Sequence, residues 1–356
     1  MFLAVSEIRH SKLRYALVVV VMALVAYLVT FLTGLSYGLA QENRSAVDHW
    51  DADDVILSDD ANGGLALSSI SGDKAEAVRA DRKATLLQSA SVTHQAGAGS
   101  ADGTDVRLLG IDASGFLAPA ISEGRMFRTS QETVVDSTLA TRDGIRLGDR
   151  LAFSGTDRTM KVVGFTSNAQ LSVSPVMYMS QAGFRRLGVS GILSRSSDAV
   201  SAVITRGRVK SVPKGVDVVS IADFIQDLPG YRAQVLTFGF MIGFLVVIAA
   251  VVIGVFLYVL TLQKRSVFGV LKAQGVSTGF LSRSVVVQTL LLSVCGVVVG
   301  GALALGTALV LPDAVPFQSD VPLLAAATVL MVLSAVASSA FSARAVAHVD
   351  PVEAIA

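Results

Sequence analysis

The sequence predicts an α-helical membrane protein with four transmembrane helices and an α+β extracytoplasmic domain inserted between helices 1 and 2. Composition, charge placement and strand-like patterning each point there. Of 356 residues, 52% are hydrophobic and only 16% are charged, whereas an average soluble domain is roughly a quarter charged. The mean hydropathy is +0.61. The missing charge is concentrated, because residues 15–41, 233–263, 284–312 and 321–343 contain no Asp, Glu, Lys or Arg. Each run exceeds the roughly 20 residues that cross a hydrocarbon core about 30 Å thick. Inside a bilayer the backbone must satisfy its own hydrogen bonds, so such runs span as helices.

Residues 1–14 set Phe2, Leu3, Val5, Ile8 and Leu13 against Glu7, Arg9, His10, Lys12 and Arg14. That pattern suits a cytoplasmic amphipathic helix lying at the membrane surface. Helix 1, residues 15–41, is too long for the apolar core of a cleaved signal peptide and runs on through Gly34–Ala40 as helix, so it is expected to be retained. Basic residues stay on the cytoplasmic side of a membrane. Arg9, Lys12 and Arg14 precede helix 1, and Lys264, Arg265, Lys272 and Arg283 follow helix 2 with no acid among them. The loop 313–320 has only Asp313 and Asp320. Both termini and the loop 264–283 are therefore expected to be cytoplasmic and residues 42–232 extracytoplasmic, in a multi-pass protein of the cell membrane.

Residues 42–232 hold 23 acidic and 21 basic residues and carry repeated strand-and-turn signals. Thr133–Asp136, Gly144–Asp149, Leu151–Gly155, Met160–Phe165 and Val176–Met179 are short β-rich stretches punctuated by Gly and Asp. Asp73–Gln88 reads as helix, and the Gly- and Ser-rich stretch Gln95–Thr104 reads as a hairpin tip or mobile loop. A domain of two small lobes is expected. Helix 2 spans 233–263, helix 3 spans 284–312, helix 4 spans 321–343, and 344–356 is a cytoplasmic tail.

The net charge of +1 is local to the cytoplasmic ends and gives no support to a nucleic-acid partner. Cys295 is alone, so neither a disulfide nor a Cys-based metal site forms within the chain. His10, His49, His94 and His348 are scattered, and no nucleophile elbow, zinc-protease helix or phosphate loop is present. No catalytic residues and no intrinsic cofactor are expected. Gradient-driven carriers place carboxylates or histidines inside their spans, and these spans have none. That favours a transport subunit that borrows a separate ATPase over one driven by an ion gradient.

Residues 263–281, Gln-Lys-Arg-Ser-Val-Phe-Gly-Val-Leu-Lys-Ala-Gln-Gly-Val-Ser-Thr-Gly-Phe-Leu, resemble the cytoplasmic loop of FtsX/MacB-type ABC permeases. The tail from Arg344 through Asp350-Pro351-Val352-Glu353-Ala354-Ile355 is similar to that family's ending, and Gly148-Asp149 with Val162-Val163-Gly164 resembles its outer domain. The resemblance implies that 264–283 carries a coupling helix docking into the ATPase through Lys264, Arg265, Val267, Val270, Leu271, Lys272 and Gly275. The family usually has Glu where this chain has Val267, which removes one docking carboxylate. The spacing agrees: Val267, Val270, Leu271 and Gln274 share a helical face, and Gly275 is placed to end the helix.

Two glycine pairs mark the cargo question. In helix 1, Tyr27, Phe31, Gly34, Leu35, Gly38 and Glu42 recur at helical spacing, with Gly34 and Gly38 allowing close approach of another helix. In helix 2, Gly239 and Gly243 are interleaved with Phe238, Phe240, Met241 and Phe244. These faces either form a lateral cleft for a flat apolar ligand in the outer leaflet or simply pack in a dimer. The segments Met1–Ala4, Ser11–Tyr15, Phe31–Ala40 and Asn43–Asp48 resemble the HrtB branch, permeases of haem-efflux ABC pumps in Gram-positive bacteria. That resemblance implies a homodimer with two copies of an ATPase, surrounded by lipid, with haem as the transported ligand. Oxygen donors suit ferric haem, which makes Glu42 the first candidate for the iron, with Tyr37 and His49 behind it. Arg44 and Arg232 are candidates for the propionates. Gly34, Gly38, Phe31, Phe238 and Met241 complete the candidate binding set. The alternatives are a mechanotransmitter that moves its outer domain without carrying cargo, and an exporter of another amphiphile such as a lipopeptide or antibiotic.

Overall fold

The structure is a computed structural model that describes residues 12–96, 103–189, 198–263, 265–312 and 315–347. In chain order, α1 (Lys12–Asp48) leads to β1 (Asp54–Ser58), α2 (Gly72–Ala77), β2 (Arg79–Gln95), β3 (Thr104–Ile111), β4 (Glu123–Gly124) and β5 (Glu132–Asp136). Then come α3 (Thr138–Asp143), β6 (Arg150–Phe153), β7 (Thr156–Thr166), β8 (Gln170–Leu171), β9 (Ser174–Ser180) and α4 (Gln181–Leu187). The chain continues through β10 (Ala202–Ser211), β11 (Val216–Ser220), α5 (Ile221–Gln226), α6 (Tyr231–Gln263), α7 (Arg265–Ala273), α8 (Thr278–Ala308) and α9 (Val321–Ala347). The described residues fall into two compact units, one helical, up to Gly38 and from Leu236, and one formed by Leu39–Val235.

In the helical unit, α1, α6, α8 and α9 are the four helices long and apolar enough to cross a membrane. They share one core, in which Val18, Met22 and Ala26 of α1 meet Ile253 and Leu257 of α6, Leu292 and Val297 of α8, and Met331 and Ala335 of α9. Hydroxyls in these helices bond back to their own turns, Thr33 to the Val29 carbonyl at 2.7 Å and Thr289 to the Val285 carbonyl at 2.9 Å. Each polar side chain is thereby satisfied without a partner helix. The expected amphipathic segment 1–14 lies outside the described residues up to Ser11, and so does the tail from His348 onward. Helix bounds differ from the charge-free runs: α1 continues to Asp48, and α8 begins at Thr278, where the Ser277 hydroxyl accepts from the Phe280 N–H.

The second unit is built on one sheet in the order β11-β1-β10-β2-β3-β9-β5-β7-β4, with β6 pairing β2 and β7 and with β8 on β9. Successive strand residues point to opposite faces, and both faces are buried. Leu87, Leu108, Val135, Met177 and Val203 enter one core. Their neighbours Leu86, Leu109, Val134, Tyr178 and Ile204 enter the other. The expected two lobes are thus two cores on opposite faces of a continuous sheet. Strand β2 joins its wings, pairing β10 through Leu86 and β3 from Leu87 onward.

The helix expected over Asp73–Gln88 is corrected. Only Gly72–Ala77 is helical, and the chain turns at Val78 into β2. Charges at Asp81, Arg82 and Lys83 imitate an exposed helix turn, but they lie on the exposed start of a strand whose Leu86 and Leu87 are buried on both faces. Gly144–Asp149 is likewise a turn after α3, with Gly144 at φ +68° and the Asp149 carboxylate accepting from the Arg146 N–H at 2.9 Å. Of the stretch 95–104, residues 97–102 lie outside the described residues. The strands on either side pair antiparallel, Thr93 opposite Thr104.

Candidate functional site

The end of α1 that lies in the sheet-bearing unit is gripped by the β8–β9 hairpin. Its turn residues Ser172 and Val173 both have positive φ, +52° and +60°, as a type I′ hairpin turn requires. The Ser172 N–H donates to the Asn43 carbonyl at 2.9 Å, and the Val173 N–H donates to the Glu42 carbonyl at 3.1 Å. The Ser45 hydroxyl accepts from the Gln170 N–H at 3.0 Å. Glu42 is half-buried, and its carboxylate takes part in no hydrogen bond or ion pair among the described residues. Arg142 and Asp136 act on it electrostatically. A carboxylate held by its backbone and free at its oxygens is available to a ligand.

The two candidate arginines differ. Arg44 is engaged by Asp48 at 3.2 Å, one helical turn on, which already neutralises the charge intended for a propionate. Arg232 is exposed and makes no ion pair among the described residues. His49 is exposed at the end of α1.

In the helical unit the two glycine pairs have different surroundings within the chain. A Cβ at Gly34 would strike the Phe317 ring, and one at Gly38 would strike the Pro316 carbonyl. The Gln318 N–H also donates to the Gly34 carbonyl at 3.2 Å. The groove made by these glycines therefore holds residues 316–318, in the loop between α8 and α9, because a small-residue seam admits a backbone as readily as a helix. Phe31 stacks on Phe317 at 5.7 Å and on Tyr27 at 6.0 Å. Tyr37 is half-buried. Gly239 and Gly243 have no described neighbour within 4 Å, and they lie on an open face with Phe240, Met241 and Phe244. Phe238 is half-buried.

Among the candidate coupling residues, Lys264 lies outside the described residues, and only the backbone of Arg265 is described. Val267 and Val270 are exposed. Leu271 departs from the expected common face and packs, with Val276, against Leu281 and Val285 of α8. Lys272 lies in the last turn of α7. Gly275 ends the helix at φ +88°. Its N–H donates to the Lys272 carbonyl at 2.9 Å, and the Val276 N–H donates to the Leu271 carbonyl at 3.0 Å. These two bonds, with the Leu271–Val276 apolar pair, make a Schellman cap. They fix the α7–α8 corner and leave Val267 and Val270 facing outward.

Three features were not anticipated. Gly296 and Gly300 of α8 lie so close to Met22, Ala23 and Ala26 of α1 that neither has room for a Cβ. Their G-x-x-x-G spacing was visible in the sequence. Asn43 donates to the Gln234 side-chain oxygen at 2.7 Å, a pairing across 191 positions that no local pattern reveals. A groove of about 1040 Å³ on the sheet-bearing unit is lined by Arg82, Phe116 and Arg128, among others. There Arg82 lies over the Phe116 ring at 5.4 Å, and the neighbouring Lys83 ammonium is held by the Ala75, Glu76 and Val78 carbonyls.

This architecture defines the class: a membrane protein of four apolar helices carrying an α+β domain between the first and second. The model of the FtsX-like permease C-terminal domain matches residues 239–351. The chain is 26% identical over 361 residues to a Staphylococcus epidermidis protein that carries the provisional name hemin transport system permease protein HrtB, covering 100% of this chain and 99% of that one. It is 25% identical over 359 residues to the Staphylococcus haemolyticus protein of the same provisional name, covering 100% and 99%. An uncharacterized ABC transporter permease of Mycobacterium tuberculosis is 28% identical over 359 residues, covering 99% and 98%. Among solved structures, the extracellular domain of the noncanonic ABC-type transporter YknZ aligns with 47% of this chain and 98% of its own, at 12% identity and a TM-score of 0.32. The C-terminal part of the chain, residues 239–351, matches the FtsX-like permease domain, and the whole chain is similar in sequence to ABC transporter permeases.

Proposed function

We propose that this permease takes haem from the outer leaflet of the cytoplasmic membrane and releases it outside, driven by a separate ATPase. The observation that carries the reading is its end-to-end similarity to the two staphylococcal hemin permeases. Chemistry supports it: the Glu42 carboxylate is a hard oxygen donor with no hydrogen bond or ion pair among the described residues, suited to ferric iron, and Arg232, which makes no ion pair among the described residues, is a cation for a propionate. Phe31 and Tyr37 on α1, with Phe238 and Met241 on α6, supply apolar and aromatic surface. In this reading both termini lie on the cytoplasmic side, which the basic residues at the ends of the spans support.

In this reading the working unit is a homodimer of the chain with two ATPase subunits. The exposed Val267 and Val270 of α7 form an apolar spot that docks on the ATPase, and the Gly275 cap transmits its movement to α8. The test is a haemin titration of the purified permease with its ATPase, followed in the Soret region. Wild type is expected to give a shifted Soret band that Glu42→Ala loses. Absence of haemin binding by wild type and by every variant sinks the haem reading. A band unchanged in Glu42→Ala sinks only the ligand assignment.

A further inference from the structure

Tyr27, Phe31 and Phe317 form a ladder of three rings along α1. The first pair is nearly parallel, 9° between planes, and the second inclined by 28°. The last ring comes from a different part of the chain. Phe317 sits with its edge over Gly34, where the missing Cβ makes a seat for a flat group. Beside it, the Pro316 carbonyl rests on Gly38. A planar apolar ligand recognised by α1 needs this surface: a bare glycine floor with an aromatic ring at one side to stack on.

The segment covering it is lightly fastened. Among the described residues its backbone is tied to α1 by one hydrogen bond, Gln318 N–H to the Gly34 carbonyl at 3.2 Å. Both ends of the loop are anchored elsewhere. The Val315 N–H donates to the Pro312 carbonyl at 2.9 Å, and the Asp320 carboxylate accepts from the Leu323 N–H at 2.8 Å, capping α9. Lifting the ring therefore requires neither end of the loop to move. It breaks one long hydrogen bond and one stacked pair, interactions each of modest strength.

We propose that Phe317 is the gate of the cargo site: an intrachain ring that a planar aromatic ligand must displace from Phe31 and Gly34. The proposal rests on the haem reading above and adds a specificity rule to it. A porphyrin offers Phe31 a stacking face much larger than a phenyl ring and replaces the contact it breaks. A flexible acyl chain or a globular amphiphile has no such face and leaves the gate shut. Phe317 acts by competing for the site and is not part of the bound state.

The experiment compares wild type, Phe317→Ala and Phe317→Leu in the purified permease with its ATPase, titrated with haemin and read in the Soret band. Phe317→Ala removes the competing ring. Phe317→Leu removes the ring but keeps apolar volume in the loop, so it tests the same gate should the first variant not fold. Both are expected to bind haemin about 2- to 10-fold more tightly than wild type, the factor corresponding to one aromatic pair. A Soret band seen only in the two variants also supports the gate. Affinities equal to or weaker than wild type in both variants overturn the gate and leave the haem reading standing. No band in any of the three overturns both.

Discussion

The Asn43 side-chain amide donates to the Gln234 side-chain oxygen at 2.7 Å, joining the last turns of α1 to the first turn of α6 beside Glu42. Asn43 is 3% exposed, and the Gln234 amide nitrogen is buried with no hydrogen-bond partner among the described residues. Losing Asn43 leaves the Gln234 side chain unpaired. Asn43→Ala is expected to lower stability by about 1–3 kcal/mol, seen as a lower melting temperature of the purified permease. Asn43→Leu combined with Gln234→Leu is expected to recover part of that loss, because two apolar groups leave nothing unsatisfied. A double variant that melts no higher than the single one rules out this account.

The α1–α8 contact gives a second expectation. Gly300 faces the Ala23 carbonyl with no room for a Cβ, whereas Gly239 has open space. Gly300→Leu is expected to force the helices apart and cost about 1–3 kcal/mol or more. Gly239→Ala is expected to leave stability unchanged or raise it by up to about 1 kcal/mol, because a Cβ there meets open space and alanine favours the helix. Thermal melts in detergent separate the two, and equal effects would contradict the packing.

Legibility from sequence followed the range of the interaction. The four spans were legible because lipid imposes the same demand on every residue of a run, so a charge count suffices. The sheet was legible where Thr133–Asp136 and Val176–Met179 were apolar, but not at Asp73–Gln88, where exposed charges at the start of β2 imitate a helix. Gly34 and Gly38 were legible as a close-contact surface. Their partner was not, since Pro316 and Phe317 lie in a short loop with no periodicity to read. The strained turn at Val173 was invisible, because a β-branched residue gives no sign of positive φ.

Val173 holds φ +60°, a conformation that β-branched residues rarely adopt and whose strain is of order 1–3 kcal/mol. Asn tolerates the left-handed region. Val173→Asn is expected to raise stability by about 1 kcal/mol while keeping the N–H bond to the Glu42 carbonyl. A melting temperature at or below wild type would show that the exposed valine side chain contributes something the turn geometry does not reveal.

The Glu132 carboxylate is held down to about 2 by Arg125, which grips both its oxygens, and by the Arg128 and Thr129 N–H groups; partial burial opposes the shift. Its folded value lies below its ordinary 4.5, so it adds stability that is fully present above that ordinary value. The contribution is lost as pH falls toward about 2. Wild type is expected to lose stability through that window, and Glu132→Gln to start lower and depend less on pH there. Melting temperatures of both proteins between pH 6 and pH 3 test this, and parallel curves would remove Glu132 from the acid response.

Gly275 carries the last expectation, because its backbone angle sets where α7 stops. At φ +88° an alanine is strained by roughly 1–2 kcal/mol, enough to disfavour the Schellman cap and let α7 run past Ala273. That would rotate Leu271 off Leu281 and Val285 and turn Val267 and Val270 away from their exposed positions. If those valines dock the ATPase as proposed, Gly275→Ala is expected to lower haem-stimulated ATP hydrolysis by the assembled pump, and Gly275→Asn, which tolerates positive φ, is expected to restore most of it. Val270→Asp is expected to abolish the stimulation without lowering the melting temperature, since that side chain is exposed. Full stimulation in both Gly275→Ala and Val270→Asp would move the docking surface away from α7.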